Sequence, residues 1–147
     1  MAVSAAILIC SAVSLAQGIK CKEDGTITRV SKTASGGFEL VTFDVKIKKP
    51  DFKVSNAKPP FQQYGSEKRL RIKGDRFKSI VFRGINWECT IGESLGAATT
   101  NIKAVKSIEQ FEGQVEYIIG YTKRGSYVTQ TTTRAGSGSR VTLKFKK

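Results

Sequence analysis

From Val41 to Ile47 apolar and polar side chains alternate, with Val41, Phe43, Val45 and Ile47 set against Thr42, Asp44, Lys46 and Lys48. A period of two puts these sets on opposite faces of a strand, and Pro50 closes the run. Leu70 and Ile72 alternate with Arg69, Arg71 and Lys73; Gly74-Asp75 then reads as a turn into Ser79–Arg83, which predicts a hairpin. Val115–Tyr121 is rich in β-formers, and Lys123-Arg124-Gly125-Ser126 reads as the turn of a second hairpin returning through Tyr127–Thr133. After the Ala135–Ser139 loop, Val141, Leu143 and Phe145 alternate with Thr142, Lys144 and Lys146.

Helical spacing is scarcer. Ile27, Val30 and Ala34 follow it across Thr28–Ala34, stopped by Gly36-Gly37, and Val105, Ile108 and Phe111 follow it ahead of Gly113. Each predicts one short helix packed on a sheet. Asp51–Gly65, with Pro59-Pro60, reads as a long loop, as does Gly92–Thr100, and no internal repeat is found. The fold class expected is α+β, a twisted antiparallel sheet with one or two short helices.

Met1–Ala16 carries no charge and holds an apolar core at Ala5–Cys10, with small residues at Ser14 and Ala16. It reads as a signal peptide, too short to span a bilayer, rather than as a buried N-terminal helix. Residues 17–147 then form a single secreted domain without a membrane segment. Cys10 leaves with the leader, so Cys21 and Cys89 remain. In an oxidising compartment the default is one Cys21–Cys89 disulfide, closing a loop worth about 4 kcal/mol on the chain-entropy argument; the alternative is two free thiols.

Composition narrows the chemistry. The 147 residues hold 25 Lys plus Arg, 12 Asp plus Glu and no histidine, for a formal charge of +13. Without histidine the common triads and dyads cannot form, and neither can a His-ligated metal site, so no enzyme, cofactor or metal is expected. Between Lys68 and Arg83 seven cations face one acid, Asp75. Arg69, Arg71, Lys73 and Arg76 are thus candidates for following a phosphate backbone. Lys123, Arg124, Arg134 and Arg140 form a candidate second patch beside Tyr121 and Tyr127, whose rings could stack on bases. The alternative is a solvated basic surface, and for Tyr117, Tyr121 and Trp87 core packing is favoured over stacking.

Tyr117–Tyr127, followed by Arg134-Ala135-Gly136-Ser137-Gly138, resembles the C-terminal segment of the RNase-like effectors of cereal powdery mildew fungi, the RALPH family associated with haustoria. The resemblance implies a microbial-ribonuclease-like fold without its catalytic residues, Thr133 standing where the catalytic histidine would be. It implies a secreted, monomeric virulence effector translocated into the host plant cytoplasm. Its partners would be host RNA or RNA-associated proteins, and a plant intracellular NLR immune receptor could recognise it as an avirulence factor. The chain departs from the family at Ile19, where an aromatic is usual, and at Val141, where the second cysteine is usual. Two other readings stay open: an active guanyl-type ribonuclease with Glu88, Glu109, Glu112 or Glu116 as base, or a basic protein–protein interaction module with no RNA role.

Overall fold

The computed structural model describes residues 23–66, 68–89 and 99–147, apart from the side chain of Trp87. Eleven strands account for its regular structure: β1 (Thr26–Ser35), β2 (Phe38–Val45), β3 (Asp51–Ala57), β4 (Phe61–Gln62), β5 (Arg69–Leu70), β6 (Arg76–Arg83), β7 (Trp87–Glu88), β8 (Ile102–Phe111), β9 (Gln114–Tyr121), β10 (Ser126–Ala135) and β11 (Gly138–Lys146). They form a five-stranded sheet in the order β10-β11-β2-β1-β7, a four-stranded sheet in the order β3-β6-β9-β8, and a small β4-β5 ribbon. All pairs are antiparallel except β1 with β7.

Alternation explains the layers. Val41, Phe43 and Val45 of β2 and Val141, Leu143 and Phe145 of β11 turn inward together, meeting Ile80 and Phe82 of β6 and Val115, Tyr117 and Ile119 of β9. Phe43 sits at the junction, its ring 5.2 Å from Phe82 and 5.1 Å from Tyr117. Each such fully buried side chain contributes roughly 1.5–3 kcal/mol over its exposed state. The four-stranded sheet is covered on its outer side as well, where the β4-β5 ribbon packs Phe61 on Phe77 at 4.9 Å and Ile118 is buried.

Several expectations are corrected. The fold is all-β, a two-sheet sandwich, and neither short helix exists: Thr28–Ala34 lies within β1 and Val105–Phe111 within β8. A β-bulge explains both misreadings. An extra residue between Ile27 and Arg29 places the inward-facing Ile27 and Val30 three apart, and the irregularity between Ser107 and Glu109 falls inside the Val105, Ile108 and Phe111 spacing. A spacing of three imitates a helical stripe. Asp51–Gly65 is not one loop, because it holds β3 and β4. Neither predicted hairpin forms. Arg69–Leu70 pairs with β4, while β6 pairs with β3 and β9; β9 and β10 belong to different sheets, so residues 122–125 carry the chain across the sandwich. The expected Ala135–Ser139 loop is a tight connection between β10 and β11. Residues 1–16, expected as a leader, and Cys21 lie outside the described residues; Cys89 is a disulfide cysteine.

Candidate binding surfaces

Two backbone clamps shape one open side of the sandwich. In the first, the Glu39 carboxylate, fully buried on the inner face of β2, accepts hydrogen bonds from the backbone N–H groups of Thr100 (2.6 Å), Asn101 (2.9 Å to either oxygen) and Ile102 (2.7 Å). Ionised acceptors make the stronger hydrogen bonds. One carboxylate thereby ties the start of β8 to the opposite sheet and fixes where Lys103 leaves it.

The second clamp is built from glycines. A Cβ on Gly120 would lie 2.0 Å from the Lys73 carbonyl oxygen, and one on Gly74, at φ 147°, would lie 2.7 Å from the Tyr121 nitrogen. Backbone therefore rests directly on backbone, an approach only glycine permits. The Asp75 N–H donates to the Tyr121 carbonyl at 2.9 Å, and the Asp75 carboxylate accepts the Lys123 N–H at 3.0 Å. The segment from Arg71 to Asp75 is thus held against β9 although only Arg69–Leu70 is strand.

Between the clamps lies a groove of about 230 Å³ lined by Lys32, Arg71, Ile72, Lys73, Lys103, Ala104, Val105 and Lys106. Three separate stretches of chain contribute its cations, and among the described residues no acid lines it. Arg71 and Lys73 were legible in the sequence. Lys32 and Lys103 were not, because the stretches carrying them meet only through the strand order. A signal existed: Lys32 shares the inward register of Val30 and stands opposite Val41, an odd position for a lysine unless its stem follows an apolar edge and its ammonium reaches water.

The remaining predicted residues are scattered. Arg69 lies in the short β5, and Arg76 sits near Tyr121. Burial raises the Tyr121 phenol above its ordinary pKa, the Arg76 charge opposing the shift. Lys123 and Arg124 stand at one end of β10 and Arg134 at the other, about 30 Å away at strand rise, so they form no single patch. Arg140 is held by Asp44 through two bonds of 2.7 and 3.2 Å, which raise its pKa. Tyr127 packs edge-on against Phe145, beneath the Lys78 ammonium at 4.4 Å, and burial raises its phenol. Tyr117 and Tyr121 are buried in the core. Of the carboxylates considered as bases, Glu88 is buried, and desolvation raises its pKa against the opposing hydrogen bonds of Ser107 and Tyr117; Glu116 accepts the Ser79 hydroxyl at 2.5 Å.

The second notable surface is β10 itself. It pairs on one side with β11 and forms the rim of its sheet, and eight of its ten residues are exposed. The opposite rim is the two-residue β7, while β8 at a rim of the other sheet carries two irregularities in register; β10 carries one, between Tyr127 and Thr129, and pairs without a break from Thr129 to Ala135. Threonine keeps β10 soluble and extended at once, being both polar and a strong β-former.

Fold and surface together define a two-sheet β-sandwich domain with a basic exterior. The chain belongs to the AMIN-like domain family, whose model matches residues 25–146. No curated protein matches it. This assignment and the all-β architecture overturn the resemblance to RNase-like mildew effectors. Thr133 is then no vacated catalytic position but an exposed residue of β10, and the readings that leaned on that family, host-cell delivery and receptor recognition included, lose their support. Among the described residues no group of three His, Cys, Asp or Glu could hold a metal, and no helix is long and apolar enough to cross a membrane.

Proposed function

We propose that this AMIN-like domain is a non-catalytic protein-interaction module that accepts an extended acidic segment of a partner as an added strand along β10. The reading rests on one observation: a long rim strand, unbroken in register from Thr129 to Ala135, whose outer edge is exposed. Such an edge is normally shortened, bulged or covered, because it templates pairing, and strand addition uses these main-chain groups for affinity. Lys123, Arg124 and Arg134 at its two ends select acidic flanks. They disfavour a second copy of this chain, since antiparallel pairing would bring Arg134 of one copy against Lys123 and Arg124 of the other. The absence of histidine supports the non-catalytic part, and the uncharged, apolar Met1–Ala16 supports secretion.

Titrating the isotopically labelled protein with an alternating Glu/Val octapeptide tests this. The amide signals of Thr129–Thr133 should shift most. Alternate amides of a strand face outward, so one of Thr131→Pro and Thr132→Pro removes an outward donor while sparing the β11 ladder. That variant should stay folded and lose the peptide. Shifts located away from β10, or none, would refute the proposal.

A further inference from the structure

We propose that the groove between β1 and β8 is a binding site for a multiply charged phosphate oxyanion. It lies on the far side of the five-stranded sheet from β10 and does not depend on strand addition there.

Charge makes the first argument. Lys32, Arg71, Lys73 and Lys103 converge on one groove with no described acid in its lining. Elsewhere the surface does pair its cations, as Arg140 with Asp44 and Arg83 with Asp51 show. Gathering like charges stores repulsion that a bound anion releases.

Shape and rigidity make the second. At about 230 Å³ the groove is smaller than the roughly 300–1,000 Å³ of ordinary organic-ligand pockets, which favours a compact, densely charged ligand. Arg71 offers a planar fork that matches two phosphate oxygens, and the lysines act as point charges around it. Both walls are fixed before any ligand arrives. Glu39 anchors the residues leading into Lys103, and the Gly74–Gly120 contact anchors those bearing Arg71 and Lys73. Pre-set donors lose little freedom on binding. Ile72, Ala104 and Val105 supply the apolar part of the lining.

The test is calorimetric titration of the purified protein with inorganic phosphate, pyrophosphate, tripolyphosphate and sulfate at a constant ionic strength of about 0.15 M, with melting temperature followed in parallel. Affinity should rise from phosphate to tripolyphosphate, and tripolyphosphate should raise the melting temperature more than sodium chloride of equal ionic strength does. Arg71→Ser with Lys103→Ser should weaken tripolyphosphate about tenfold or more, as loss of charge-assisted hydrogen bonds implies. Both residues are exposed, so the ligand-free melting temperature reports whether the fold survives. Lys49→Ser with Lys53→Ser removes the same charge from exposed positions outside the groove and should cost about twofold or less. Equal weakening by the two pairs, tripolyphosphate binding no tighter than sulfate, or no saturation below about 10 mM would each overturn the site.

Discussion

Replacing Glu39 with glutamine removes one negative charge from a site with no solvent access and leaves the volume unchanged. The carboxylate presents two acceptors to three consecutive backbone N–H groups at 2.6–2.9 Å. The amide presents one acceptor, and its NH₂ meets an N–H donor head on. A hydrogen bond to a charged group is worth about 1.5–3 kcal/mol and an unsatisfied buried donor costs about 1–3 kcal/mol, so a net loss of about 2–4 kcal/mol follows after local relaxation. Against a typical total of about 5–15 kcal/mol, that is a large share. Urea unfolding followed by circular dichroism should show the lower midpoint with an unchanged slope. Amide exchange should localise the effect, with Thr100, Asn101 and Ile102 losing protection ahead of the β2 and β11 amides. A stability change under about 0.5 kcal/mol, with those three amides still protected, would refute the account of Glu39 as the tie between the sheets.

Gly120→Ala should destabilise by roughly 1–3 kcal/mol, as overpacking does, because its methyl meets the Lys73 carbonyl oxygen; thermal melts measure the loss, and tripolyphosphate affinity should fall with it. Glu88→Gln tests the raised carboxyl. Below the ordinary value of 4.5 folded and unfolded states both hold the proton; between that value and the higher folded one the unfolded wild type ionises while the folded wild type does not, which lowers its stability until the folded value is passed. The stability of Glu88→Gln relative to wild type should therefore climb with pH and level off above the folded value; a difference independent of pH between 4 and 8, roughly the range around the ordinary carboxyl value, would contradict the burial argument. Asp44→Ala should cost only about 0.5–1 kcal/mol, because the half-exposed Arg140 is well hydrated without it, as a melt at low and high salt would show.

Alternation located five of the long strands, β2, β6, β9, β10 and β11, because each presents unbroken period-two burial or dense β-formers. It failed at β1 and β8 for a shared reason. In each a bulge adds one residue, so apolar side chains around it fall three apart and the local pattern becomes helical while the ladder continues. Sequence alone carries no sign of a bulge, which is specified by the neighbouring strand. β3 was missed differently: Phe52 and Val54 do alternate, but Asp51, Ser55 and Asn56 are poor β-formers, and the prolines on either side suggested a loop. Half of the groove was legible. Arg71 and Lys73 stand out in a basic run, whereas Lys32 and Lys103 are separated from it in sequence and join it only through folding. The C-terminal likeness to mildew effectors covered a short stretch of β-formers and glycines, and such a stretch fits many sheets.

The crossing between β9 and β10 also sets an order of events. The five-stranded sheet takes β1 and β2 from the first part of the chain and β10 and β11 from its end, while the four-stranded sheet and the two-residue β7 come from between them. Val41 and Phe43 cannot find their neighbours on β11 until the last residues are available. The β2–β11 pairing, which joins the two parts of that sheet, spans most of the chain, and such distant closures slow folding. A polypeptide emerging from a ribosome therefore stays unfinished until β11 is free, and a premature stop anywhere before Gly138 removes a strand paired on both sides rather than a dispensable tail.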